Sequence, residues 1–185
     1  IVFTGALTYK PNLDAAARLC REILPMIRRR LPNARLKITG DLHGVEYEGL
    51  ESAQGVELTG FVEDIRPVIA SATALVVPLR YGGGTRLKIL EAMALGTPVV
   101  STPMGAEGLD ARDGREILLG ETDEELAAKT IVLFRRPDLA AEIAKNARKM
   151  AADRFLWPDI AARFERLIAD PSVRSTAVDV QRGRA

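Results

Sequence analysis

The chain has 185 residues, 47% hydrophobic and 28% charged, a globular balance long enough for one core that excludes wholesale disorder and low-complexity fibres. Lys and Arg number 26 against 25 Asp and Glu, and a net charge of +1 gives no electrostatic case for nucleic acid as a partner. A single cysteine, Cys20, and a single histidine, His43, exclude an internal disulfide and a Cys/His structural zinc site.

The chain opens Ile1-Val2-Phe3-Thr4-Gly5, a short apolar run stopped by glycine that reads as a strand. It carries no charged leader segment, no initiator Met and no apolar run long enough for a membrane span. The expectation is a fragment of a longer, cytoplasmic protein. Asp14–Arg30 reads as a helix with Ala16, Leu19, Cys20, Ile23, Leu24 and Ile27 inward, kinked or broken at Pro25. Strands follow at Arg35–Gly40 and Val56–Val62, then a short helix over Asp64–Ser71 and a continuously apolar strand over Thr73–Pro78. Thr85–Leu95 reads as a helix closed by Gly96, Pro98–Ser101 and Glu116–Leu119 as strands. Helical periodicity then occupies Asp123–Arg135, Leu139–Met150 and Trp157–Ala169, and residues 171–185 read as a polar tail.

Apolar strands alternating with helices imply βαβ crossovers and an α/β parallel sheet covered on both faces by helices, over residues 1–170. Such sheets bind ligands outside the carboxyl ends of their strands, so the informative loops follow Gly5, Gly40, Gly60, Pro78 and Ser101.

The most unusual stretch is Pro78-Leu-Arg-Tyr-Gly-Gly-Gly-Thr-Arg-Leu-Lys-Ile-Leu-Glu91. Gly82, Gly83 and Gly84 stand between a buried strand and a helix start, where unpaired N–H groups suit a phosphate. Thr85 is placed to cap the helix. Arg86 and Lys88 lie in the first turn, against the helix dipole, a conflict that an anion would resolve. The alternative is a plain surface loop with a capped helix, and neither the P-loop nor the G-x-G-x-x-G spacing is present. Glu91 falls on one helical face with Leu87, Leu90 and Ala94, roughly 9 Å along the axis from the glycines. A carboxylate on an apolar face calls for hydrogen-bonding partners, such as the vicinal hydroxyls of a ribose. The alternative is a side chain turned to solvent or paired with Arg86 or Lys88.

Other residues read more plainly. His43 is taken as a solvated turn residue, Cys20 as core, Trp157 as packing and Glu121–Glu125 as an acidic helix start. Glu107 is left between a donor-facing role and none. Arg18, Arg21, Arg28, Arg29 and Arg30 read as a solvated face, the alternative being contact with anionic lipid headgroups or lipid-linked acceptors.

The combination G-F-V-x-D at Gly60–Asp64, strand-Pro at Thr73–Pro78, the glycine-rich turn and L-E-A-M-A-x-G-x-P-V-V-S at Leu90–Ser101, with Gly105-Ala-Glu-Gly108 after it, resembles a known family. It is that of the retaining glycosyltransferases with the two-Rossmann GT-B fold, in particular family four, glycosyl transferases group 1. The likeness covers about residues 1–168 and implies the C-terminal, nucleotide-sugar-binding half, with the N-terminal acceptor-binding domain absent from this chain.

By that resemblance the donor is a nucleoside-diphosphate sugar, Glu91 binds its ribose, and Gly5, Gly83, Gly84, Thr85, Arg86, Leu87 and Lys88 surround its diphosphate. The loop holding Phe61 and Val62 lies near the nucleobase. The first of two family glutamates, which contacts the transferred sugar, falls on Gly83, and the family glycine before the helix falls on Arg86. One basic position of the loop after the first strand falls on Pro11, leaving Lys10 as the nearest substitute. The resemblance implies no metal and no cofactor besides the donor. The implied partners are the missing N-terminal domain, an acceptor saccharide or lipid-linked glycan, and a membrane surface for the full-length protein. A fragment without transfer activity is expected. The competing functions are a degenerate nucleotide-binding or structural module and an epimerase of nucleotide sugars on the same fold.

Overall fold

The computed structural model describes residues 1–169 except 48 and 51, so the polar tail lies outside the described residues. Six parallel strands form one sheet: β1 (Val2–Thr4), β2 (Leu36–Thr39), β3 (Val56–Gly60), β4 (Leu75–Val77), β5 (Val99–Ser101) and β6 (Leu118–Leu119). Their order across the sheet is β3-β2-β1-β4-β5-β6, the doubly wound Rossmann order, which reverses between β1 and β4. Val76 and Val77 are fully buried, as strands covered on both faces require. The helices are α1 (Lys10–Arg18), α2 (Leu24–Arg30), α3 (Arg66–Ala70), α4 (Leu87–Leu95), α5 (Asp123–Arg135), α6 (Pro137–Arg154) and α7 (Trp157–Ala169). Helices α2 and α5 pack together, and α3 and α6 both pack on α4.

Several boundaries differ from the sequence reading for identifiable reasons. The first helix begins at Lys10 rather than Asp14 because Pro11 sits in its first turn, where its missing N–H costs nothing. Pro25 does interrupt it, through a π-helical turn at Leu19–Ile23. There the Leu24 N–H reaches back five residues to the Leu19 carbonyl, shifting the hydrogen-bond register just ahead of the proline. Burial pushes the Cys20 thiol up to about 11 and confirms it as core. Helix α4 ends as expected on Gly96, at φ +78°, with the Gly96 and Thr97 N–H groups donating back to Met93 and Ala92 carbonyls. Helix α5 is capped by the Thr122 hydroxyl, which accepts from the Glu125 N–H, while the Glu125 carboxylate accepts from the Glu121 N–H.

Two readings are overturned. Arg18 is not part of a solvated face. Its guanidinium is buried, pairs with Asp123 and donates to the Pro78 and Glu121 carbonyls, tying α1 to the end of β4 and to the start of α5. Trp157 is not a packing residue. It is 80% exposed at the start of α7, and Phe164, Leu167 and Ile168 on the same helix are exposed as well. No helix among the described residues is long and apolar enough to cross a membrane.

Candidate functional site

A cavity of about 500 Å³ opens at the carboxyl ends of the strands, over the point where strand order reverses. Its floor is made of Thr4 and Gly5 after β1, Thr39 and Gly40 after β2, and Leu79 after β4. Only glycines allow this floor. A Cβ on Gly40, at φ +150°, would lie 2.0 Å from the Gly5 carbonyl oxygen, and one on Gly5 would lie 2.8 Å from the Lys88 ammonium.

One wall is the glycine-rich turn and the start of α4. Gly83, Thr85, Arg86, Leu87, Lys88 and Glu91 all line the cavity. Thr85 does not cap the helix. Its carbonyl accepts from the Leu87 N–H, and Arg86 occupies the cap position without a side-chain cap bond, so the first N–H groups of α4 have no side-chain acceptor. Arg86 instead folds back under the turn and is only 7% exposed. Its guanidinium donates to the Gly82 carbonyl at 3.1 Å, to the Gly83 carbonyl at 3.4 Å and to the Glu107 carboxylate at 3.2 Å. The fourth anchor is the Met104 sulfur, while the Arg86 Nε has no partner among the described residues. Glu107 thus joins the loop after β5 to the turn after β4, a structural part that the sequence left open.

Lys88 reaches the cavity floor. Its Nζ donates to Asn12 Oδ1 at 2.7 Å and lies 4.4 Å from the centre of the Phe3 ring. Burial, helped by the nearby Arg86 charge and opposed by Glu91, lowers its pKa to about 8. Asn12 is held in turn by the Ala6 carbonyl, and Tyr9 accepts the Gly83 N–H on its hydroxyl at 3.3 Å. Asn12 and Tyr9 both line the cavity, and the sequence reading missed them; the only available signal was their place in the loop that follows β1.

The opposite wall carries Phe61, Val62, Glu63 and Ile65. Gly5, Phe61 and Val62 therefore join the α4 residues in one concavity. Two expected residues do not. Gly84 is absent from the lining, and Lys10 opens a second cavity of about 370 Å³ with Asp14, Tyr47 and Tyr81. The face of α4 that holds Glu91 also differs from expectation. The core face is Ile89, Ala92 and Met93, whereas Leu87 is 59% exposed and Glu91 itself is exposed. Glu91 is thus a carboxylate on a solvent-open apolar wall, with no direct ion pair to Arg86 or Lys88, though its charge favours the ammonium form of Lys88. His43 is an exposed turn residue, bonded at Nδ1 to Asp41 at 2.9 Å.

Residues 1–136 match the family model described as Glycosyl transferases group 1. The chain belongs to that family. A mannosyltransferase acting in MMP α-(1→4) transfer, from Mycolicibacterium hassiacum, is 33% identical over 118 residues, covering 58% of this chain and 28% of the relative. An uncharacterized 44.6 kDa protein of the cps region of Klebsiella pneumoniae is 27% identical over 156 residues, covering 80% of this chain and 40% of the relative. Among solved structures, Anabaena Alr3699/HepE in complex with UDP and glucose superimposes with a TM-score of 0.71 at 20% identity, over 91% of this chain and 47% of that one. This group 1 chain therefore has the Rossmann-like architecture found in GT-B enzymes, and it spans less than half the length of these relatives.

Proposed function

We propose that this group 1 chain is the donor-binding half of a retaining glycosyltransferase. The observation that carries the reading is the single cavity at the strand-order reversal, which brings the Gly5 loop, the Gly83–Lys88 turn and Glu91 together. A nucleoside-diphosphate sugar fits its chemistry in order. The diphosphate lies at the positive N-terminal end of α4 against the Lys88 ammonium, and the ribose hydroxyls donate to Glu91.

In the transfer step the bond between the anomeric carbon and the diphosphate oxygen breaks, a bond from the acceptor oxygen to that carbon forms on the same face, and the acceptor hydroxyl proton passes to the departing diphosphate oxygen. Negative charge builds on the leaving nucleoside diphosphate. The N-terminal end of α4 and Lys88 stabilise it in place, without reorganisation at the moment of reaction. Arg86 contributes by holding the carbonyls of Gly82 and Gly83 inward, so that the turn keeps its shape. The acceptor, a saccharide or lipid-linked glycan, enters between this half and an N-terminal domain, so the 185-residue chain alone binds donor and transfers nothing.

The test is calorimetric titration of the chain with UDP, GDP and ADP, followed by transfer assays on the full-length protein. Binding of at least one of them, weakened by Glu91→Ala by more than ~1 kcal/mol, is the expected result. Absence of binding by all three at millimolar concentration makes the chain a structural module and overturns the proposal.

A further inference from the structure

The end of the cavity remote from Lys88 has its own chemistry. It is formed by the loop after β3, on the sheet edge opposite the glycine-rich turn. Three strand spacings separate the ends of β4 and β3, about 14 Å at the usual interstrand distance, which matches the reach of an extended nucleoside diphosphate. Phe61 presents a ring that is 79% exposed, a flat apolar surface of the kind on which bases stack. Val62 and Ile65 beside it are apolar too.

Two carboxylates stand next to each other in this loop, and they are not equivalent. Asp64 is fully engaged. Its Oδ1 accepts from the Arg66 backbone N–H at 3.0 Å and from Arg66 Nε at 2.8 Å, and its Oδ2 accepts from Arg66 Nη2 at 3.0 Å. Glu63 lines the cavity and has no hydrogen-bond or ion-pair partner among the described residues. An ionised carboxylate accepts only, and it accepts best from two donors side by side. Guanine offers that pattern on one edge, N1–H next to the N2 amino group. Uracil offers a single N–H between two carbonyl oxygens, which a carboxylate repels. Adenine offers an amino group beside an acceptor nitrogen, which satisfies one carboxylate oxygen at most.

We infer that this cavity selects a guanine nucleotide, with Glu63 accepting from the N1–H and N2 amino group of a base stacked on Phe61. The inference rests on the donor-site reading above and assigns the nucleobase class of that donor. Glu63 is then a specificity residue that touches substrate, and the diphosphate end of the cavity is indifferent to it.

The experiment is calorimetric titration of the 185-residue chain with GDP, IDP, UDP and ADP, repeated on Glu63→Gln with circular dichroism as a check of fold. Binding of GDP about tenfold tighter than UDP or ADP is expected, with IDP, which lacks the N2 amino group, weaker than GDP. Glu63→Gln is expected to erase most of that preference by weakening GDP alone. UDP binding as tightly as GDP, or a preference for GDP that survives Glu63→Gln, overturns the inference and leaves the donor site standing. No binding by any of the four overturns both.

Discussion

Lys88 on α4 and Asn12 on α1 meet through a 2.7 Å hydrogen bond from Nζ to Oδ1, directly above Gly5. The contact brings a cation from the helix after β4 to the loop after β1, where Pro11 provides none. The side chain is largely withdrawn from water, and that is why its pKa falls to about 8.

A pH dependence follows from this. An anionic diphosphate favours the charged ammonium, so binding raises the Lys88 pKa. Nucleoside-diphosphate affinity should hold below pH 8 and fall as pH rises above it. Calorimetry at pH 8.5 in two buffers of different ionisation enthalpy should show proton uptake on binding. Equal heats in both buffers would remove Lys88 from the diphosphate site.

The same group affects stability with a defined sign. Its folded-state pKa lies below the ordinary 10.5, so between about 8 and 10.5 the unfolded chain binds more protons than the folded one. This contribution makes stability rise with pH across that window. Melting temperatures of the wild type and Lys88→Met, compared from pH 7 to 10, should converge or cross as the wild type loses the cost of a buried charge. A constant offset between the two would contradict it.

Glu91→Ala should weaken nucleotide binding by more than ~1 kcal/mol, because it removes a charged acceptor from a cavity wall. The residue is exposed and makes no direct hydrogen bond or ion pair among the described residues, so the melting temperature should stay within error of wild type. Unchanged affinity in a folded variant would take Glu91 out of the site.

Arg86→Ala should act on both fold and binding. It deletes the bonds to the Gly82 and Gly83 carbonyls and to Glu107, a loss of about 2 kcal/mol in urea unfolding. A loosened turn should weaken nucleoside diphosphates more than the bare nucleoside. Equal losses on both ligands would contradict a role at the phosphates.

Gly40→Ala should destabilise by at least ~2 kcal/mol, since the added methyl meets the Gly5 carbonyl in a backbone region closed to L-residues. A folded variant of wild-type stability would mean that the two loops can separate, and the cavity floor with them.

Trp157 gives a spectroscopic check on α7. It is the only tryptophan and lies open to solvent, so its emission should be red-shifted and readily quenched by iodide. A blue-shifted, protected signal would show that the α7 face is covered in this chain.

The apolar strands, the helical spacings and the closing Gly96 were legible in the amino-acid order, because strand and helix periods are local properties of the chain. So were the glycine-rich turn and the family motifs around it, which point to the doubly wound fold and to the cavity over its strand-order reversal. What needed the tertiary structure was the direction and partnership of charged side chains. Arg18 is surface-like by its spacing, yet three acceptors from distant segments bury it. Arg86 and Lys88 stand two positions apart, but one braces the turn from beneath and the other crosses to β1. Thr85 has the chemistry of a cap, though Arg86 takes that position. Glu91 shares a face with apolar residues, and only the packing of Ile89, Ala92 and Met93 decides that this face looks outward. Each depends on which remote backbone carbonyl or carboxylate comes within hydrogen-bond reach, a distance that periodicity does not encode.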